Sequence, residues 1–120
     1  MFLEHLLDWI PFGSVPEITP AELARAMEGP GQGLQLLDVR THREFDEGHL
    51  ANARHAPITS LSRDLERLSL DARRKVVAIC ASGHRSVVAV RLLRKRGFAE
   101  AEQLAGGMSA WRADGLEVVR

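Results

Sequence analysis

Cys80 is the only cysteine among the 120 residues. It closes the most strand-like run of the chain, Lys75-Val-Val-Ala-Ile-Cys80, and Ala81-Ser82-Gly83-His84-Arg85 follow before a helical pattern opens near Ser86. A strand end leading through a small-residue loop into a helix is where an open α/β sheet places its ligand crevice. The chemistry this allows is nucleophilic attack by a thiolate. Free N–H groups at a helix N-terminus, with the positive end of its dipole, favour an anion. Small residues and Gly83 let successive N–H groups turn inward as a nest. Arg85 adds a fixed charge in a fork suited to oxyanions. These features predict a Cys80 pKa below that of an ordinary thiol. The plainer reading of a lone cysteine is a small apolar filler; the strand–loop–helix setting and Arg85 favour the nucleophile. The candidate site is therefore Cys80 as nucleophile, with Ala81, Ser82, Gly83, His84, Arg85 and Ser86 binding an anionic substrate.

Other residues take a supporting place. Asp38 and Arg40 end an earlier strand on the same side of the sheet. Arg40 is expected to pair with Glu44 and hold the following turn, and Asp38 to hydrogen-bond the loop or its neighbours. His42, His49 and His55 match no metal-ligand spacing, so no metal is expected. His84 is left open between substrate and solvent. The basic residues from Arg91 to Arg96 read as complements to a helix dipole rather than as a docking patch.

The elements that must hold this loop follow from periodicity. Thr19, Pro20 and Glu22 form a helix start, with Thr as cap, Pro at the first helical position and Glu three residues on. That helix runs through Leu23 and Met27 to a Gly29-Pro30-Gly31 break. Leu34 to Val39 is a short apolar run, the pattern of a strand covered on both faces. Glu44-Phe45 suggest a helical turn, Ala53 to Ile58 a weaker strand, and Leu61, Leu65 and Leu68 a helix. Ser86 to Arg96 is a helix stopped by Gly97. Ala101 to Leu104 is a last short strand, and Met108 to Ala113 a closing helix holding Trp111. Alternating strands and helices imply a mostly parallel sheet. Residues 1–14 form an N-terminal extension, with Phe2, Leu3, Leu6, Leu7 and Ile10 at helical spacing until Pro11. The domain proper covers 15–120.

Length and charge narrow the function. The chain suffices for one domain and buries about two-thirds of its unfolded surface without staples. Sixteen basic and sixteen acidic residues cancel, which argues against nucleic-acid binding through bulk positive charge. No apolar stretch is long enough for a membrane span. One cysteine excludes a disulfide framework and a four-cysteine zinc site. The first basic residue is Arg25, so neither a secretory signal nor an Arg-rich transit peptide is expected. A free thiol suits a reducing compartment, and a cytoplasmic location is expected.

Cys80-Ala-Ser-Gly-His-Arg85-Ser86 resembles the active-site loop of the rhodanese-like sulfurtransferases. Leu36-Leu37-Asp38-Val39-Arg40, with Glu44-Phe45 and Gly48-His49-Leu50, resembles the first signature of that family, and Ala53 to Pro57 its continuation. Leu104-Ala105-Gly106-Gly107 with Trp111 resembles the C-terminal signature. The match runs in family order over about residues 15–119. Asn52 stands where the family often has Gly, and His55 where Asn is usual. The resemblance implies an α/β fold: a central parallel sheet of about five strands flanked by helices on both faces. It also implies ping-pong transfer of a sulfane sulfur from thiosulfate or a similar small anionic donor, through a Cys80 persulfide, to cyanide or a thiol. A sulfur-carrier or thioredoxin-like protein is a candidate acceptor. No metal or organic cofactor is implied. Two alternatives stay open. One is a phosphatase or arsenate reductase on the same fold. Such loops resemble Cys, five residues, Arg, whereas four residues separate Cys80 from Arg85, a tighter cradle that suits a sulfur atom. The other is a non-catalytic binding module, a kind that typically lacks the nucleophile present here.

Overall fold

The structure is a computed structural model that describes residues 15–29 and 33–120. The expected helix within residues 1–14 lies outside the described residues, as do Pro30 and Gly31 of the expected break.

Five strands form one sheet, every pair parallel: β1 Glu17–Ile18, β2 Leu34–Asp38, β3 Arg54–His55, β4 Lys75–Ile79 and β5 Ala101–Leu104, in the order β1-β5-β4-β2-β3. The central strand β4 lies in register with β2, Lys75 opposite Leu34 and Ile79 opposite Asp38. Side chains alternate across a strand, so the apolar run at β4 feeds two cores. Val76, Ala78 and Cys80 join Leu37, Val39, Leu61, Leu65, Ala89, Val90 and Leu93 on one face. Val77 and Ile79 join Leu23, Leu36, Leu104, Met108 and Trp111 on the other. Burial on both faces is why this strand reads as continuous apolar sequence rather than as an alternating one. It also puts the Cys80 side chain on the face that carries Ala89 and Val90.

Among the described residues the α-helices are α1 Pro20–Glu28, α2 His42–Asp46, α3 Leu61–Asp64, α4 Arg85–Lys95 and α5 Gly107–Ala113. Buried residues of α3 and α4 belong to the first core, and those of α1 and α5 to the second. Thr19 and Glu22 close a reciprocal capping box on α1, and Thr41 and Glu44 close another on α2, each satisfying two N–H groups that the helix leaves free.

Several elements differ from expectation. β1 was not anticipated: two residues carry no periodicity, and the strand exists because Gln103 N donates to Pro16 O and Ala105 N to Ile18 O. β3 is confined to Arg54–His55. Ala56 N and Ile58 N still donate to Asp38 O and Val39 O, but Pro57 between them has no N–H to offer. Leu61, Leu65 and Leu68 are all buried, yet regular helix stops at Asp64; turns follow, ending at Ser69 in a left-handed conformation, φ 53°. α4 begins at Arg85, one residue earlier than expected, and α5 at Gly107.

Candidate functional site

Cys80 follows β4 directly and is 1% exposed. The loop 81–84 turns back over its sulfur. Gly83, at φ 105°, takes up a conformation that a side chain would strain, and its N–H donates to Cys80 Sγ at 2.9 Å. The thiol lies 3.3 Å from Ser86 Oγ and donates to it. Burial pushes the Cys80 thiol up, but hydrogen bonding by the Ser86 hydroxyl, and by the N–H groups of Ser86, Gly83 and Ser82, outweighs it and leaves the pKa below its ordinary value.

The loop is braced from behind by α5. Met108 N donates to Cys80 O at 2.8 Å and Ser109 N to Ala81 O at 2.9 Å. This contact requires Gly107, at φ 61°, because a Cβ there would run into the Cys80 carbonyl and the Ala81 backbone. The second half of the Gly106-Gly107 pair is thus a close-approach residue for the loop that opens at Cys80.

The charges are arranged differently from expectation. Arg40 does not pair with Glu44. It turns back onto Asp38, Nη2 to Oδ2 at 2.7 Å and Nε to Oδ1 at 3.0 Å, and its Nη2 also donates to Gly48 O at 2.8 Å. Asp38 is fully buried and Arg40 nearly so. A buried carboxylate demands a partner, and the cation two residues on supplies it. Glu44 instead reaches Arg85, with Nη1 to Oε1 at 2.6 Å and Nη2 to Oε2 at 2.8 Å. Its Oε1 also accepts from Thr41 N and Oγ1 of the cap. The Arg85 guanidinium holds the Glu44 carboxyl down at about 2, against burial and with help from Thr41, and Glu44 in turn raises Arg85. Arg85 stands beside the loop, but as half of an ion pair rather than as a free cation.

A family model for the rhodanese-like domain matches residues 19–114. The chain belongs to the rhodanese-like domain family. Its fold resembles that of a rhodanese-related protein from Thermoplasma volcanium, with a TM-score of 0.77 at 30% identity over 88% of this chain and 98% of that one. In sequence it is 33% identical over 93 residues to the thiosulfate sulfurtransferase GlpE of Stutzerimonas stutzeri, covering 78% of this chain and 82% of that protein. It is 40% identical over 103 residues to an HTH-type transcriptional regulator of Mycobacterium tuberculosis, covering 84% of this chain and 43% of the regulator. The rhodanese-like domain spans about half or less of several curated relatives it matches. The family and the sulfurtransferase names among these relatives place it in a sulfurtransferase-type group.

Within the rhodanese-like domain the remaining candidates fall on and around the loop. Ser82 and His84 are exposed, with Ser82 Oγ 3.2 Å from His84 Nδ1. His49 stacks on the Phe45 ring at 3.6 Å and His55 at 4.5 Å, and His42 meets His55 edge-on at 4.7 Å. His49 Nδ1 lies 2.7 Å from Phe45 O and His55 Nε2 2.7 Å from Arg40 O. Carbonyls only accept, so those ring nitrogens carry the protons. Among the basic residues ending α4, Arg94 bonds Ala101 O and Arg96 bonds Ser62 Oγ. No helix among the described residues is long and apolar enough to cross a membrane. A cavity of about 830 Å³ opens beside Leu34, Leu36, Arg54 and Trp111, away from Cys80. Gln103, which no motif or spacing points to, also borders the loop. It is 7% exposed and bonded to Ser86. Its signal was present: a polar residue facing inward from a strand buried on both sides needs a partner.

Proposed function

We propose that this domain transfers a sulfane sulfur through Cys80. The Cys80 thiolate attacks the outer sulfur of thiosulfate. A sulfur–sulfur bond forms to Cys80, the bond to the sulfonate sulfur breaks, and sulfite leaves with the bonding electron pair. Cyanide or a thiolate acceptor then takes the outer sulfur and returns Cys80 as thiolate. Charge balances in both steps, and no oxidant or metal is consumed. The observation that carries the reading is the Gly83 N–H aimed at a buried Cys80 sulfur at 2.9 Å. A donor inside a low-dielectric loop stabilises the thiolate and, after loading, the persulfide anion. Ala81, Ser82 and Gly83 carry little bulk, so a terminal sulfur atom can enter among the loop N–H groups. Ser86 tunes the nucleophile, Arg85 draws the donor's anionic oxygens, and Asp38 with Arg40 fixes the strand end beside them. A sulfur-carrier or thioredoxin-like protein is the macromolecular acceptor class that suits an exposed loop of this kind, and the proposed setting is the cytoplasm.

The test is intact mass after mixing with thiosulfate and removing excess. The wild-type chain should gain one sulfur atom, and Cys80→Ser should gain none. A wild-type chain that stays unmodified while folded would remove the sulfur-transfer reading.

A further inference from the structure

A polar chain leads from the nucleophile across the sheet to its edge. Cys80 Sγ lies 3.3 Å from Ser86 Oγ, Ser86 Oγ donates to Gln103 Oε1 at 2.5 Å, and Gln103 Nε2 donates to Glu17 Oε2 at 3.2 Å. Ser86 and Gln103 are buried, while Glu17 is exposed on the edge strand, directly opposite Gln103 in register. The direction of each bond is set from the outer end. A carboxylate only accepts, so Glu17 holds the amide with its NH₂ outward and its carbonyl inward. That carbonyl also only accepts, so it takes the single proton of the Ser86 hydroxyl. Ser86 Oγ is then left with lone pairs toward Cys80. Lone pairs suit a thiol, which has a proton to give; the Ser86 hydroxyl lowers the Cys80 pKa only by turning from Gln103 to donate to the thiolate.

We propose that Gln103, oriented by Glu17, is a positioning residue that holds the Ser86 proton away from Cys80 and so favours the neutral inner sulfur over the free thiolate. One state satisfies the chain in full, the resting thiol, which donates to Ser86 Oγ; resting on the sulfurtransferase reading above, the persulfide gives that oxygen no proton but, with its charge on the outer sulfur, opposes it less than the thiolate does. Ionisation of Cys80 releases one proton to solvent and turns one hydroxyl toward Sγ. Gln103 Oε1 is then left facing an oxygen lone pair. Relief requires the amide to flip, and a flip turns its carbonyl onto the Glu17 carboxylate. Glu17 therefore acts on Cys80 through two intervening side chains. The other ionisable groups near the thiol are Arg85 with Glu44, Asp38 with Arg40, and His84 in the loop. All of them are unchanged by substitution at 17 or 103.

The titration of the single cysteine tests this without measuring sulfur transfer. Thiolate absorbance, checked by alkylation rate, would be followed against pH in the full chain. Gln103→Leu removes the competing acceptor and should move the midpoint to lower pH. Well below the midpoint it should give roughly tenfold more thiolate, the scale of one hydrogen bond to a charged group. Glu17→Gln frees the amide to flip and should shift the midpoint in the same direction. Gln103→Glu grips the Ser86 proton harder and should raise it. In a Ser86→Ala background the Leu and Gln substitutions should lose their effect, which a purely structural or long-range charge effect would not do. Midpoints that stay fixed or rise in Gln103→Leu and Glu17→Gln, or shifts that persist without Ser86, overturn the proposal. Should Gln103→Leu fail to fold, the exposed Glu17→Gln substitution decides alone. A chain that shows these shifts but takes no sulfur from thiosulfate would sink the sulfurtransferase reading and leave this one standing.

Discussion

Neutralising Glu44 should make an anionic donor bind better, not worse. Arg85 is the cation nearest the nucleophile loop, and Glu44 occupies both of its terminal nitrogens, at 2.6 and 2.8 Å. A donor's oxygens must share that guanidinium with a carboxylate that stays ionised, because its pKa is held at about 2. The drop from an ordinary 4.5 to about 2 corresponds to about 3 kcal/mol of preference for the carboxylate. Thr41 supplies part of it, and solvent screens a pair whose side chains are 32% and 30% exposed, which leaves about 1 kcal/mol for Arg85 alone. Glu44→Gln keeps the capping box, since Gln serves at that position, and removes the charge. The thiosulfate KM should then fall roughly fivefold, with kcat little changed. Arg85→Ala should do the reverse and raise KM about tenfold, because it removes a charge-assisted contact and leaves Glu44 unpaired beside the loop. The double variant should sit near wild type, and the gain from Glu44→Gln should shrink as ionic strength rises. Steady-state kinetics of thiocyanate formation across the four proteins would show it. A Glu44→Gln enzyme whose KM rises like that of Arg85→Ala refutes the competition argument, and Glu44 would then be a residue that orients Arg85 toward the donor.

Three further outcomes follow from the same contacts. Gly107→Ala should drop the melting temperature by roughly 5–15 °C, because a strained left-handed alanine costs about 1–3 kcal/mol and its Cβ meets the Cys80 and Ala81 backbone; a melt within a degree of wild type by calorimetry would contradict the close-approach role of Gly107. The Glu44 pKa is depressed in the folded state, so its stabilisation is complete above the unfolded value near 4.5 and is lost as pH falls toward about 2; denaturant melts at stepped pH should show wild type losing more stability than Glu44→Gln across that window, and parallel curves would remove the pair from the acid limb. With thiosulfate and no acceptor, sulfite release should stop near one equivalent, because no second cysteine in the chain can resolve the persulfide; continued release without acceptor would require another route for the sulfur.

What the sequence discloses divides along the distance over which an interaction acts. Local preferences were readable: the Thr19–Glu22 box, the apolar run into Cys80, and the small-residue loop each involve residues within a few positions of one another, and the structure has the capping box, the strand and the loop where expected. The parallel sheet was readable too, because strands alternate with helices along the chain and burial on both faces leaves its mark in β2 and β4. The errors lie where a choice among distant partners is made. Arg40 has two carboxylates within four residues, Asp38 and Glu44, and sequence spacing favours the helical one. Burial decides otherwise: Asp38 at 0% exposure cannot stay unpaired, while Glu44, partly exposed, can wait for a partner 41 residues away. β1 is the same kind of case, since two residues become a strand only when β5 arrives beside them.

The site inherits that division. The proposed nucleophile and its loop come from one contiguous stretch, but the two contacts argued to set its behaviour do not. Glu44 tempers the charge of Arg85 from α2, and Gln103 claims the Ser86 proton from β5. Both act on the loop from segments distant in sequence, whose partners no local pattern names. They also act on different quantities. Glu44 bears on how well an anion is held outside the sulfur, and Gln103 on how readily the sulfur gives up its own proton. A change at one should therefore leave the other's readout in place: Glu44→Gln should alter KM with the Cys80 titration close to wild type, and Glu17→Gln should alter the titration with little effect on the salt dependence of KM. If both substitutions move both quantities together, the two contacts are one coupled network reaching Cys80 through the loop backbone, and the separation of substrate charge from nucleophile ionisation drawn here fails.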